Sequence, residues 1–191
     1  NRAVTGDDIE VYQAYIEAKE MFGLPVTMRV GRQELVMDDG WLIGNMVSPC
    51  LGISFDALRL TYKANDFSVD AFSAKLVETS SNFMDDDVDL YGVHAIYSGI
   101  QNLSLSAYWY FINDRRDIDD TPGASAVTRW TEDLMGYNDY GASTVHTLGL
   151  HAKGKAGAFD YCGDLAYQFG DAEQVGSMFK PRGVYGDDDA K

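Results

Sequence analysis

VTMRVGRQELVMDDGWLIGN (Val26–Asn45) and, after a short polar link, ISFDALRLTYK (Ile53–Lys63) decide how this chain is read. In the second run Leu58, Leu60 and Tyr62 fall on one side, and Ala57, Arg59, Thr61 and Lys63 on the other. Strict alternation with period two predicts a strand with one apolar and one polar face. In the first run Val26, Met28 and Val30 oppose Thr27, Arg29 and Gly31, but Arg32 and Glu34 then break the parity. Either a bulge at Gly31 or emergence of the strand above its apolar layer would explain the break. Between the runs lies a loop carrying Asp38, Asp39, Gly40 and Trp41.

Outward from this pair the same pattern recurs. Tyr12, Ala14, Ile16 and Ala18 oppose Gln13, Tyr15, Glu17 and Lys19. From about Phe67, the apolar set Phe72, Ala74 and Leu76 stands against Ser73 and Lys75. Tyr91, Val93, Ala95 and Tyr97 face away from Gly92, His94, Ile96 and Ser98. Leu105, Ala107, Trp109 and Phe111 oppose Ser104, Ser106, Tyr108 and Tyr110. Leu148, Leu150 and Ala152 oppose Thr147, Gly149, His151 and Lys153. Tyr161, Leu165, Tyr167 and Phe169 oppose Asp160, Cys162, Asp164 and Gln168. After Gly170 the chain reads as loop, ending in Asp187-Asp188-Asp189-Ala190-Lys191.

About eight strands result, and their connections alternate between short (22–25, 64–66, 100–102, 154–158) and long (37–52, 78–89, 114–143). A short helix is expected near Val127 to Leu134 in the longest. Outer-membrane barrels alternate in this way, with short periplasmic turns and long outer loops. Strands of about ten residues suit a tilted crossing of a bilayer. Aromatic residues at strand ends, such as Tyr91, Tyr97, Tyr161 and Phe169, suit interfacial girdles. A soluble antiparallel sandwich also alternates, but seldom sustains the short–long rhythm. The fold expected is therefore all-β, an antiparallel up-and-down transmembrane barrel, with residues 1–191 forming one domain or a fragment of one.

Composition agrees. The chain has 191 residues, net charge −15, 12 Tyr, 9 Phe and 19 Gly. That acidity excludes nucleic acid as a partner, because phosphate binding needs clustered Lys and Arg. No stretch has eighteen consecutive apolar residues, which argues against a membrane helix but not against a barrel. The opening Asn1-Arg2-Ala3 implies that any leader was removed or lies outside this segment. Two cysteines do not make a disulfide scaffold. With Cys50 in an outer loop and Cys162 beside a short turn, the two should be too far apart to bond.

GRQELVMDDGWLIGN (Gly31–Asn45), the following Ser54-Phe55-Asp56-Ala57-Leu58-Arg59-Leu60, and Ala74-Lys75-Leu76-Val77-Glu78 resemble the alginate export family of outer-membrane β-barrels. Ala57 stands where the family usually has Gly, and Trp41 near a customary Arg. The resemblance implies a larger barrel, of about 16–18 strands, of which this chain would be an internal portion or a partly built chain; an autonomous eight-stranded barrel is the alternative. It also implies location in the outer membrane of a Gram-negative cell, porin-like transport and no enzymatic role.

The cations expected inside are Lys19, Arg29, Arg59, Lys63, Lys75 and Lys153; the anions are Glu17, Asp160 and Asp164. The wall then leans positive, and the acidity belongs to the loops. A lumen lined by one sign enriches the opposite ion, so the expected solute is anionic or polar, in line with a saccharide; generic mutual neutralisation inside the barrel is the alternative. Leu58, Leu60, Tyr62, Tyr91, Tyr97, Trp109, Phe111, Tyr161, Tyr167 and Phe169 should face lipid or form the girdle, against membrane lipid and lipopolysaccharide. The Asp38–Trp41 loop should be an outer hairpin.

No catalytic site, cofactor or metal is expected. His146 and His151 fall on opposite faces, His94 is isolated, and Ser143 with His146 lacks a placed acid. The acidic runs at 38–39, 85–89, 117–120 and 187–189 lack the spacing of a calcium loop. Two further functions stay open: a scaffold barrel docking subunits of an envelope assembly, and a soluble carbohydrate-binding sandwich.

Overall fold

The computed structural model describes residues 11–48, 51–77, 88–115, 127, 130–131, 143–172 and 188–190. Its strands are β1 (Ala14–Ala18), β2 (Val26–Gln33), β3 (Met46–Ser48), β4 (Leu51–Gly52), β5 (Phe55–Ala64) and β6 (Phe67–Val77). They continue with β7 (Val88–Ile100), β8 (Leu103–Asp114), β9 (Ser143–Ala156), β10 (Phe159–Ala172) and β11 (Asp188–Ala190). Nine of them form one sheet in the order β1-β2-β5-β6-β7-β8-β9-β10-β11, while β3 and β4 make a small separate hairpin. Every neighbouring pair is antiparallel. This is an open up-and-down meander with β1 and β11 at its edges. The pairing of Asp188–Ala190 on the end of β10 corrects the expectation of a tail without strand. Most of the helix expected near Val127 to Leu134, and Cys50, lie outside the described residues.

The short connections are tight because Asn65, Asn102 and Gly157 take positive φ of 50°, 60° and 63°, the backbone that hairpin turns require. Pairing runs without a shift from Val26↔Tyr62 to Gln33↔Phe55, so there is no bulge at Gly31. Arg32 stays on the face of Val30 and Leu58 and is met there by Asp56, Nη2 to Oδ2 at 2.6 Å. The parity break marks the strand leaving its apolar layer. Gly31 has φ of 123°, and a Cβ there would stand 2.4 Å from the Ala14 carbonyl oxygen of β1.

Cross-strand partners share a face, and the register sorts the side chains into two. One face runs Ile16, Val30, Leu58, Ser73, Tyr91, Phe111, His146 and Phe169. The other runs Glu17, Arg29, Arg59, Phe72, Gly92, Tyr110, Thr147 and Gln168. On β6 this reverses the expected parity. Phe72 and Ala74 are buried on the polar face, and Lys75 lies on the apolar one. The reason is a core that alternation does not reveal: Leu35, Met37 and Ile43, from the loop between β2 and β3, pack with Ala57, Phe72, Ala74, Leu90, Tyr108 and Tyr110.

That loop reaches far. Asp39 bonds with Lys153 of β9 and with Cys162 of β10. Through the ladder Arg32 stands level with Asp171, six strands away. On a flat sheet this lateral step and the nine residues down to Cys162 would separate Arg32 from Cys162 by about 40 Å. The extended chain from Arg32 to Asp39, side chains included, spans at most about 35 Å. Contact is made because the sheet curls around its polar face, and the loop lies within the curl.

Gly92 completes the packing: a Cβ there would sit 2.2 Å from Cζ of the buried Phe72 ring. Gly92→Ala is expected to destabilise the folded chain by about 1–3 kcal/mol, the usual cost of overpacking. Thermal unfolding in detergent micelles, compared with Gly163→Ala where no atom lies within 4 Å, checks it.

Candidate functional site: the polar face and the loop across it

The expected inner cations divide. Arg29 is held by Glu17 through Nε at 2.9 Å and Nη2 at 2.5 Å, with its guanidinium 4.3 Å over the Tyr15 ring. Arg59 donates from Nε to Oδ1 of the nearly buried Asp70 at 2.8 Å, and Thr61 bonds to the same oxygen. Lys153 is paired with Asp39. Lys63 sits on the polar face, exposed, and makes no ion pair among the described residues. Lys19 lies beyond the end of β1, exposed, 3.1 Å from Glu17.

Lys75 is the exception that the register corrects. It lies in a row Arg32–Asp56–Lys75–Asp89–Asn113 on the apolar face. Its Nζ is 2.8 Å from Asp89 Oδ1, and Arg115 Nη2 is 2.9 Å from Oδ2 of the same carboxylate. One step down the strands is an aromatic row. Tyr91 and Phe111 stack at 6.0 Å, Phe111 and His146 at 4.5 Å, His146 and Phe169 at 5.1 Å. Trp109 Nε1 donates to His146 Nδ1 at 3.3 Å. Leu58, Leu60, Tyr62, Tyr91, Tyr97, Trp109, Phe111, Tyr161, Tyr167 and Phe169 all share this face by register.

The loop expected as an outer hairpin is folded inward instead. A turn closes it, with Gly40 N–H donating to Met37 O at 2.9 Å and Met37 N–H to Ile43 O at 3.0 Å. Asp38 points to the wall: its Oδ2 is 2.9 Å from His94 Nε2, and its Oδ1 accepts from Ser106 Oγ at 2.6 Å. The hydrogen bond from Lys153, and next that from the Cys162 thiol, hold the Asp39 carboxyl below the usual carboxylate range. At the loop's root Gln33, fully buried, donates from Nε2 to Ala57 O at 2.9 Å.

Between loop and wall is a narrow crevice of about 10 Å³ lined by Met37, Asp38, Trp41, Leu42, Ile43, Tyr108, Tyr110 and Asp164. The rings of Tyr108 and Tyr110 stack at 4.7 Å. Sequence reasoning missed this set, and with it Asp70 as a wall residue; alternation puts His94 on this face but does not show its partner Asp38. The signal available was the loop itself: Leu35, Met37 and Ile43 are too apolar for a solvated hairpin.

The alginate export profile, described as alginate export, matches residues 1–184. The chain belongs to the alginate export family. No curated relative and no solved structure matches it. The family is one of outer-membrane β-barrel transport rather than of enzymes, and the open antiparallel meander has the strand order of a portion of such a barrel.

Proposed function

We propose that the curled polar face is the wall of an outer-membrane passage for a polar saccharide, narrowed by the loop from Glu34 to Asn45. The observation that carries this is the exposed ring of Trp41 on that loop, with the Asp164 carboxylate of the wall in the same crevice. An exposed flat ring beside a fixed acceptor suits a ligand that is apolar on its ring faces and hydroxylated at its edge. The charge pattern refines the expectation of a basic lumen. Arg29 and Arg59 are each matched by a carboxylate on the same face, and Lys153 by Asp39 of the loop. Field attraction of anions is thereby offset, and the wall selects by hydrogen bonds and ring contact. On the other face, the aromatic row meets the apolar edge of the bilayer, and the ionic row from Arg32 to Asp89 meets lipid and lipopolysaccharide headgroups.

Single-channel recording in planar bilayers tests the reading. Neutral oligosaccharides are expected to block current as effectively as uronate ones, with little ion selectivity. Trp41→Ala should weaken block about tenfold, equivalent to about 1.4 kcal/mol. Block by uronates alone would restore the anion path. A sealed barrel, silent even when the loop is released, would favour the scaffold reading, because a polar face filled by its own loop serves that role too.

A further inference from the structure

Loop and wall also bring together three side chains whose chemistry differs from that of the crevice. A carboxylate oxygen of Asp39, a ring nitrogen of His151 and the sulfur of Cys162 all lie within 4.8 Å of one another. The fold places them there for separate reasons. Gly163 pairs with Ala152 and Asp164 with His151, so Cys162 and His151 are diagonal neighbours on the polar face of β9 and β10. Asp39 arrives from the far side of the sheet on the inserted loop. Cys162 donates its thiol hydrogen to Asp39 Oδ2 at 3.3 Å, while Lys153 occupies the other oxygen, Oδ1.

The second observation is behind the histidine. His151 is buried, 4 % exposed, and its Nδ1 is 2.8 Å from Asp164 Oδ1. A carboxylate on one imidazole nitrogen fixes the tautomer with its proton there, and leaves the lone pair on Nε2. Carboxylate–histidine pairs of this kind stand behind metal-ligating histidines, orienting the ring and raising its basicity. One sulfur, one imidazole and one carboxylate form the donor set of a borderline-soft divalent ion. Tetrahedral coordination, with metal–sulfur near 2.3 Å and metal–nitrogen near 2.0 Å, needs ligand atoms roughly 3–4 Å apart. The spread therefore has to close by about 1 Å, and exposed Cys162 and loop-borne Asp39 have the freedom to close it.

We propose that Asp39, His151 and Cys162 form a site for a zinc-class divalent cation that fastens the inserted loop to β9 and β10. Binding replaces the thiol hydrogen between Sγ and Oδ2 by the ion: Cys162 loses one proton to water and ligates as thiolate, while His151 and Asp39 ligate without proton loss. Asp164 is a positioning residue. The fourth position is open to water or to a group of the solute. Nothing in this inference depends on what the barrel passes, and its test is a binding measurement, so its failure leaves the saccharide reading untouched.

The experiment is a cobalt(II) titration of the full reduced chain in detergent micelles, followed by zinc displacement. The expected result is one ion per chain, a thiolate-to-cobalt charge-transfer band, and one proton released per ion in weak buffer. Cys162→Ser should abolish the band; since Cys162 is exposed, this variant keeps the fold. Asp164→Asn should retain the band with affinity about 10- to 100-fold weaker. Asp39→Asn should weaken binding by at least as much, which ties the ion to the loop. Absence of the band, or a band that survives Cys162→Ser, overturns the site. Equal affinity in Asp39→Asn overturns the fastening.

Discussion

Asp38→Ala is expected to release the inserted loop from the wall, raising single-channel conductance several-fold and exposing the Met37 and Gly40 amides to hydrogen exchange. Asp38 is the residue through which the loop grips the middle of the sheet. One oxygen takes His94 of β7 and the other takes Ser106 of β8. His94 is 1 % exposed, and its Nδ1 already has no hydrogen-bond partner. Without Asp38, neither ring nitrogen is bonded among the described residues. Leaving a buried polar group unsatisfied costs about 1–3 kcal/mol, more than an ordinary hydrogen bond contributes. A loss of about 2 kcal/mol changes a docked-to-released ratio roughly 30-fold. The apolar anchors Leu35, Met37 and Ile43 remain, so the loop should exchange between positions without unfolding the sheet. Asp38→Asn, which keeps an acceptor for Ser106, should fall between. Unchanged conductance together with unchanged exchange would show that the apolar anchors alone hold the loop.

The same loop explains what could and could not be foreseen. Strands β5 and β7 to β10 are legible because their two faces differ in polarity at nearly every step: Leu58 against Arg59, Val93 against His94, Leu150 against His151. Strand β6 is not, because Phe72, Ala74 and Leu76 are as apolar as a lipid-facing stripe. They are apolar because they cover Leu35, Met37 and Ile43, residues that lie about thirty to forty positions earlier and belong to no strand. Alternation reports which side is apolar, but not whether lipid or a folded-back segment covers it. Charges suffered likewise. Lys75, read by opposition to Phe72, inherits the inversion, and Asp70 lies with Phe72 on the polar face. Arg59 lies on the polar face by register, yet its partner on β6 is invisible until pairing sets the parity of that strand. At Gly31, where the rule broke, the ion pair Arg32–Asp56 shows that polarity had changed along the strand while the register had not.

Leu60→Arg is the complementary experiment, addressed to the opposite face. Leu60 is central in β5, 39 % exposed, and its row continues through Ala71 and Val93 to Trp109. If this face meets the hydrocarbon core, an arginine near the midplane costs about 2–4 kcal/mol. Folding into vesicles should then be weakened by about 30- to 1,000-fold. In detergent micelles, where a long side chain can reach water along the strand, the same variant should lose little. Leu35→Ala should behave in the opposite sense. Leu35 is fully buried in the loop core, and its truncation should cost about 2–5 kcal/mol in either medium, because its neighbours are protein in both. The pair separates two kinds of apolar residue that the sequence writes alike. Medium dependence for Leu60→Arg, with none for Leu35→Ala, identifies lipid as the partner of the outer face. Equal tolerance of Leu60→Arg in vesicles and micelles would place that face against water or another protein, and would return the sandwich or scaffold to first place.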